Sequence, residues 1–154
     1  MADQTARPVR ALLVPIQGSR MLLLPNAAVA EVVAMRDLES APDDAPDWLL
    51  GTMPWRGESL TVVGYERLRG EDAASMGAGA QVVVVNALAE DAPFGYYGLV
   101  AAGIPHLLAV GEGAAETVAA PGEGGYALCD VRLNESRASI PDLDAIEARV
   151  AESR

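Results

Sequence analysis

The 154-residue chain contains no lysine and only one cysteine, one histidine and one phenylalanine. A single cysteine excludes an internal disulfide, and the lone histidine has no cluster of cysteines or carboxylates around it with the spacing of a metal site. Cys129 needs a base to act as a nucleophile, and His106 is the only histidine in the chain. We therefore interpret both as structural residues, expect Cys129 to be buried on a strand, and predict that the protein is not an enzyme and has no metal and no cofactor.

Positive charge is scarce as well, because eleven basic residues stand against twenty-two acidic ones and the net charge is −11. Nucleic acids and anionic membrane surfaces are bound through lysine and arginine, so this composition argues against both as partners. No run approaches the ~20 apolar residues of a membrane span, and the N-terminus lacks the apolar core of a signal peptide. We expect a cytoplasmic protein that neither binds nucleic acid nor inserts into a membrane.

Short apolar runs separated by glycine, proline, aspartate and asparagine favour many strands over long helices. The predicted strands cover residues 12–16, 21–24, 31–35, 60–63, 81–86, 95–101, 104–110, 126–131 and 138–140, with one more that ends at Trp55. Segments 12–16 and 21–24 are predicted to form a hairpin, and so are segments 95–101 and 104–110. Asn26 is expected to cap a helical turn at 27–30, because asparagine accepts a backbone hydrogen bond at that position.

Two polar segments are predicted to be irregular. Residues 37–47 carry clustered aspartates and two prolines but lack the glycine and terminal glutamate of an EF-hand, so we predict a solvated loop that does not bind calcium. Residues 69–80 are small and Gly-rich, and no Lys-Ser or Lys-Thr follows that would make a phosphate-binding loop. They are predicted to form a flexible linker between two halves of the chain.

The C-terminal segment 142–151 is predicted to be an amphipathic helix. The apolar residues that repeat at helical spacing are Leu143, Ile146 and Val150. Pro141 suits a first helical turn, and Asp144 and Glu147 have the spacing of a capping box.

The stretch from Pro46 to Gly70 carries the most specific pattern in the chain. A short apolar turn at 48–50 is expected to stop at Gly51, and a strand then leads to Trp55-Arg56-Gly57. An Arg-Gly pair between two apolar strands predicts a hairpin, because glycine supplies the positive φ of a tight turn. The whole stretch resembles the signature of the CheW-like domain, an adaptor that couples chemoreceptors to a histidine kinase.

The resemblance extends in order from Ala11 to Glu147. The matching elements are LP…V.EI at residues 24–33, G…LRG…PVVDL at residues 51–63, and a second-half hairpin at residues 99–105. It implies a mainly β fold of two intertwined five-stranded SH3-like antiparallel β-barrels that share a hydrophobic core, with a short C-terminal helix. The implied organisation is a flexible N-terminus at 1–10 and a single domain at 11–151, with a first barrel at about 11–68, the linker at 69–80, a second barrel at about 81–140 and the helix at 142–151.

The same resemblance implies a non-enzymatic adaptor with two partners, the regulatory domain of a CheA-type histidine kinase and the cytoplasmic tip of a methyl-accepting chemoreceptor. Self-association in arrays, as in ring-forming adaptors, is left open. The positions that match family positions tied to receptor and kinase coupling are Val29, Glu31, Gly51, Arg56 and Gly57. Val29 is compatible with a core position or with a partner contact.

Glu31 and Arg56 match an ion pair of the family between strands of the first half. If the pair is semi-buried, removal of one partner leaves an uncompensated charge and costs roughly 3–5 kcal/mol. Trp55 is predicted to be a core residue, whereas Trp48 fits either the core or an exposed contact surface.

Two positions depart from the family pattern. Trp55 and Gly64 stand where the family usually has leucine and aspartate, which gives WRG…VVGYE. This variant, with the terminal SIPDLDAIE, looks like the adaptor subgroup of type IV pilus chemosensory systems, so a role in twitching motility is predicted. The alternative is an auxiliary or decoy coupling protein of the same fold, which binds a receptor without activating a kinase.

Overall fold

The computed structural model describes residues 9–16, 21–70, 80–110, 115–119, 126–133 and 136–153. In these ranges the chain forms, in order, β1 (Val9–Pro15), β2 (Met21–Pro25), a 3-10 turn (Asn26–Ala28), β3 (Val29–Ala34), β4 (Glu39–Ser40), β5 (Leu49–Trp55), β6 (Glu58–Val63), α1 (Tyr65–Leu68), β7 (Gln81–Asn86), β8 (Tyr96–Ala101), β9 (His106–Val110), β10 (Ala115–Ala119), β11 (Ala127–Leu133), β12 (Ser136–Pro141) and α2 (Leu143–Glu152). No helix in the described ranges is long and apolar enough to cross a membrane. Most of the N-terminal segment 1–10 and of the linker 69–80 lies outside the described residues.

The strands form two six-stranded sheets. Sheet A has the order β10-β11-β12-β2-β1-β9, and sheet B has the order β3-β7-β8-β6-β5-β4. Each sheet combines strands from before and after the linker, so the two barrel-like units are intertwined. This mainly β architecture with a short C-terminal helix confirms the predicted fold class. Two pairings, β6 with β8 and β12 with β2, are parallel, whereas antiparallel pairing was predicted throughout.

Each sheet contains one strand more than the five predicted, and in both sheets it lies at an edge. β4 forms inside the predicted loop 37–47, where Glu39 and Ser40 pair with Thr52 and Gly51. β10 forms the corresponding edge of sheet A. β4 consists of two polar residues and β10 mostly of small ones, so neither shows the apolar alternation by which a strand is recognised in a sequence.

Apolar side chains of the described residues form three clusters. One lies inside sheet A and contains residues such as Leu23 and Val131, and another lies inside sheet B and contains Met53 and Leu60. The largest cluster joins the two sheets, α1 and α2, and includes Leu12, Leu22, Leu24, Val63, Tyr65, Val83, Val85, Leu99, Ile146 and Val150. We call it the shared core, and it agrees with the common hydrophobic core expected for two joined barrels.

The sequence QVVVVN of β7 shows how one strand contributes side chains to two apolar clusters. Val83 and Val85 contact the shared core, while Val82 and Val84 contact the interior of sheet B. All four are fully buried, because alternate side chains of a strand point to opposite faces and both faces are covered here.

The predicted hairpin between segments 95–101 and 104–110 does not form. β8 lies in sheet B between β7 and β6, whereas β9 lies in sheet A beside β1. The chain crosses from one sheet to the other at Ala102, whose N–H donates to the carbonyl of Pro15 at 2.8 Å. Two neighbouring apolar runs look alike in a sequence whether they pair with each other or with distant strands, so the prediction was wrong.

Gly51 does not end an apolar turn, because it lies inside β5. Its φ is 151°, and the pairing of β5 with β6 shifts register between Leu49 and Gly51. A Cβ on Gly51 would lie 2.0 Å from the carbonyl oxygen of Glu39. Glycine is therefore required at this position for the close approach of β4 to β5, and not as a stop signal.

Both predicted helix caps were wrong. Asn26 is the first residue of the 3-10 turn, whose N-cap position is held by Pro25 without a side-chain hydrogen bond. At α2 the cap is Asp142, whose carboxylate accepts the N–H of Ala145 at 3.2 Å, while Pro141 ends β12. Sequence spacing alone did not fix where each helix begins.

The apolar face of α2 packs as predicted, with Ile146 and Val150 fully buried in the shared core. Glu147 is also buried, and its carboxylate accepts the backbone N–H groups of Leu88 and Ala89. These charge-assisted hydrogen bonds tie α2 to the loop that follows β7 and satisfy the carboxylate away from water.

Candidate functional site

The β5–β6 hairpin predicted from the Arg-Gly pair forms the centre of the candidate site. Trp55 pairs with Glu58, and Arg56 and Gly57 are the two turn residues between them. Both have positive φ, 49° at Arg56 and 77° at Gly57, which is what a type I′ turn requires. Glycine accepts this conformation readily, whereas an arginine adopts it at some cost.

Glu31 reaches this hairpin from β3, although β7, β8 and β6 separate β3 from β5 in sheet B. The indole Nε1 of Trp55 donates a hydrogen bond to Oε1 of Glu31 at 3.0 Å. A direct contact between such distant strands requires sheet B to curve until the ends of β3 and β5 meet, as in a barrel.

Arg56 completes a three-residue cluster. Its Nη2 lies 3.1 Å from the same Oε1 of Glu31, and its Cζ lies 4.7 Å from the centroid of the Trp55 ring. The guanidinium is thus held by a carboxylate and by an aromatic face at once. We call Glu31, Trp55 and Arg56 the hairpin cluster.

The ion pair of the hairpin cluster is more exposed than a semi-buried pair. The side chain of Arg56 is 61% exposed and that of Glu31 is 40% exposed. Solvent screens such a pair, so the coupling between the two charges is expected to be about 0.2–1 kcal/mol, in place of the 3–5 kcal/mol of a buried pair.

The remaining predicted site residues differ in their surroundings. Gly57 is exposed, and a Cβ built on it would meet nothing within 4 Å, so it lies with Arg56 at the accessible tip. Val29 is half-buried and packs against the shared core, and it precedes a register shift between β3 and β7. Gly51 is buried beneath β4. The structure therefore brings Glu31, Arg56 and Gly57 to one accessible place, whereas Gly51 contributes to the fold.

Sequence reasoning placed Trp55 in the core and did not assign it a polar contact. The residue is 6% exposed, which confirms the core prediction, and the ring of Tyr96 packs against it in a T-shaped arrangement with centroids 4.7 Å apart. Its hydrogen bond to Glu31 depends on the curvature of sheet B, which no local pattern reveals. The one signal for this hydrogen bond in the sequence was the tryptophan before Arg-Gly, where the family usually has leucine. A tryptophan side chain carries an N–H donor and a leucine side chain does not.

Cys129 and His106 are the two residues that the sequence offered as a possible nucleophile and its base. Cys129 is half-buried beside the apolar cluster of sheet A, so the expectation of full burial was too strong. His106 begins β9 and is exposed. Within the described ranges, no group of three histidine, cysteine or acidic residues is arranged to hold a metal ion.

Two curved sheets around one shared core, with charged residues at an exposed hairpin, define a double-barrel β domain. The sequence matches the family model of the CheW-like domain over residues 10–150. The chain therefore belongs to the CheW-like domain family.

Among solved structures, the chain is similar to the crystal structure of the scaffolding protein TtCheW from Thermoanaerobacter tengcongensis. The TM-score is 0.69 at 16% sequence identity, and the match covers 88% of this chain and 90% of that one. At this identity the likeness bears on the fold. A search of the curated proteins gave no match.

Proposed function

We propose that this protein is a non-enzymatic adaptor that couples chemoreceptors to a CheA-type histidine kinase. The observation that carries the proposal is the family match, which spans residues 10–150 and so takes in both barrels and most of α2. The likeness to a protein described as a scaffold supports the same conclusion. The partners are the regulatory domain of the kinase and the cytoplasmic tip of a methyl-accepting chemoreceptor, and the adaptor acts in the cytoplasm.

The hairpin cluster supports a binding role for this end of sheet B. Arg56 and Gly57 are exposed at the turn, while Trp55 beneath them is buried and fixed by Tyr96. A rigid base under exposed polar groups lowers the conformational entropy lost when a partner binds. Partner contacts at Val29, Glu31, Gly51, Arg56 and Gly57 remain a proposal, and among them we assign the direct contacts to Glu31, Arg56 and Gly57.

We assign the adaptor to a type IV pilus chemosensory system, in which the output is twitching motility. The support for this assignment is the variant WRG…VVGYE together with the terminal SIPDLDAIE. Trp55 gives that variant a physical meaning, since it replaces an apolar side chain by one that donates a hydrogen bond to Glu31.

Titration calorimetry with the kinase regulatory domain and with a receptor tip hairpin of the same organism tests the proposal. Adaptor interfaces of modest area give affinities of about micromolar, so saturable binding in that range is expected. Arg56→Glu should abolish binding to at least one partner. Arg149→Glu is the matched control, because Arg149 also lies over a tryptophan, with its Cζ 5.5 Å from the ring of Trp48, but belongs to α2. A folded protein that binds neither partner contradicts the proposal.

Val29→Asp is a poor probe for this purpose. Its side chain packs against the shared core, so a buried carboxylate would destabilise the fold and lower binding for the wrong reason. Arg56 is 61% exposed and can be changed without disturbing the core.

A second candidate is an auxiliary or decoy coupling protein that binds a receptor without activating a kinase. Gly64 favours it, because this position, at the end of β6, has lost the acidic side chain usual in the family. The two candidates differ in one respect only, which is whether the receptor-bound protein raises kinase activity.

A further inference from the structure

We infer that Trp55 is a positioning residue for partner binding, which holds the Arg56 guanidinium in one orientation so that its N–H groups can donate to a carboxylate of the partner. The inference rests on the proposed adaptor function and deepens it, since it assigns the chemistry of one contact. It starts from the backbone. Arg56 occupies a left-handed turn position with φ 49°, where asparagine or glycine is preferred. A long side chain at such a position indicates that the side chain itself is used.

Trp55 restrains the pair in two ways. Its N–H donates to Oε1 of Glu31 at 3.0 Å, which fixes the carboxylate, and the carboxylate in turn contacts Nη2 of Arg56 at 3.1 Å. Its ring face lies 4.7 Å from Cζ of Arg56, which fixes the plane of the guanidinium. The ring cannot move to follow the arginine, because it is 6% exposed and the Tyr96 ring packs against it.

The guanidinium keeps binding capacity in this arrangement. It has five N–H donors, and within the described part of the chain its polar contact is with a single oxygen of Glu31. Its side chain is 61% exposed, so the other donors are accessible to a partner. A planar group held in one orientation suits a carboxylate, which can accept two parallel hydrogen bonds from it.

The acidic net charge of the chain limits the surface that can bind an acidic group of a partner. The protein has twenty-two acidic and eleven basic residues, so most of its surface repels an acidic group. An exposed and oriented guanidinium is a local exception, and an acidic side chain of the receptor tip or of the kinase regulatory domain is directed to it.

A spectroscopic experiment without any partner tests the positioning. In ¹⁵N–¹H spectra the two indole N–H groups give separate signals, and Trp48 serves as an internal reference because its Nε1 has no hydrogen-bond partner in the described structure. Glu31→Gln should move the Trp55 signal and leave the Trp48 signal in place. The Arg56 side-chain signals should show the upfield shift of a group above a ring, and Trp55→Leu should remove it. An unchanged Trp55 signal in Glu31→Gln, or Arg56 signals at ordinary positions in the unmodified protein, would overturn the inference.

A binding experiment tests the consequence. Trp55→Phe should weaken the affinity for the partner that depends on Arg56 by about fivefold, because the indole donor is lost. The same change in an Arg56→Ala background should have little further effect, while Trp48→Phe leaves the affinity unchanged. Equal losses in both backgrounds would mean that Trp55 acts through the fold alone, and this overturns the inference.

The outcomes separate the inference from the proposed function. If Arg56→Ala does not weaken either interaction although both partners bind, the inference is wrong and the adaptor function stands. If the folded protein binds neither partner, the adaptor function is wrong, and the spectra alone decide whether Trp55 positions Arg56. Should Trp55→Phe fail to fold, Glu31→Ala removes the shared acceptor of the same contacts at a half-exposed side chain and takes its place in the binding experiment.

Discussion

The molecule contains two tryptophan–arginine pairs that are alike in burial and different in hydrogen bonding. Trp48 directly precedes β5 and Trp55 is its last residue, and the two are 5% and 6% exposed. Arg56 lies 4.7 Å from the ring centre of Trp55, and Arg149 lies 5.5 Å from that of Trp48. The Nε1 of Trp55 donates to Glu31, whereas the buried Nε1 of Trp48 has no partner in the described structure.

Burial alone therefore does not couple a tryptophan side chain to its charged neighbours. Near Trp48, the arginine also contacts Glu152 at 3.6 Å, but this glutamate does not accept from the indole. Near Trp55, one carboxylate oxygen serves both the indole and the arginine, and the three side chains are coupled. The coupled cluster is the one to which the proposed binding role is assigned.

The largest effect is expected for Gly51→Ala, because Gly51 lies in β5 between the two tryptophans. The added Cβ would lie 2.0 Å from the Glu39 carbonyl at a φ of 151°, so β4 must separate from β5. We expect a loss of about 3 kcal/mol or more in the free energy of unfolding, measured by urea denaturation. Gly57→Ala is the control, with an expected loss of about 1 kcal/mol, since its Cβ meets open space. Equal losses would contradict this account of Gly51.

Replacing each tryptophan with phenylalanine measures how much its indole N–H contributes to stability. Trp55→Phe removes a hydrogen bond to a carboxylate, whereas Trp48→Phe removes a buried donor that has no partner in the described structure. Both changes lose packing, so we expect Trp55→Phe to be the more destabilising by about 1–2 kcal/mol. Thermal and urea unfolding of the two variants measures the difference. The opposite order would mean that Trp48 has a partner that this account lacks.

A buried hydroxyl in the shared core, which also contains Trp48, extends the same argument. The hydroxyl of Tyr97 has no hydrogen-bond partner in the described structure, so Tyr97→Phe should be neutral or stabilising by up to about 1 kcal/mol. Burial, followed by the negative charges of Glu147 and Asp144, raises the pKa of Tyr97 above its ordinary value of 10.0.

The raised pKa gives a pH dependence with a definite sign. Above about pH 10 the unfolded chain releases the tyrosine proton while the folded protein retains it, so the native state becomes less stable as pH rises. Tyr97→Phe should remove this alkaline loss. Unfolding free energies of the two proteins between pH 8 and pH 11 check it, and parallel curves would contradict the assignment.

The smallest effects concern the ion pairs beside the two tryptophans. A double-mutant cycle on Glu31 and Arg56 should give a coupling of about 0.5–1 kcal/mol, because the pair is partly exposed but close. The cycle on Arg149 and Glu152 should give less, since those atoms are 3.6 Å apart and their side chains are 42% and 65% exposed. Added salt should shrink both couplings. A coupling of several kcal/mol between Glu31 and Arg56 would instead indicate a buried ion pair.

Local patterns in the sequence predicted the elements that depend on local physics. The four valines of β7 indicated a strand buried on both faces, and the Arg56-Gly57 pair indicated a two-residue hairpin. The spacing of Ile146 and Val150 indicated the buried face of α2. Each of these signals is complete within about ten residues, and the structure confirms all three.

Local sequence patterns could not predict contacts between distant segments. The sequence does not state that β9 leaves β8 to pair with β1, or that two short edge strands complete the sheets. The family resemblance pointed to Glu31 and Arg56. The hydrogen bond from Trp55 to Glu31, in contrast, depends on the curvature of sheet B that brings β3 close to β5. A hydrogen bond that depends on such curvature follows from the whole fold and from no single segment.

Kinase autophosphorylation in a reconstituted mixture of receptor-bearing vesicles, the CheA-type kinase and this protein is the direct test of the proposed coupling role. We expect the protein to raise the receptor-dependent rate, Arg56→Glu to lose this effect while remaining folded, and Arg149→Glu to keep it. A folded protein that binds the receptor vesicles but leaves the kinase rate unchanged would contradict the coupling role and favour the auxiliary receptor-binding protein.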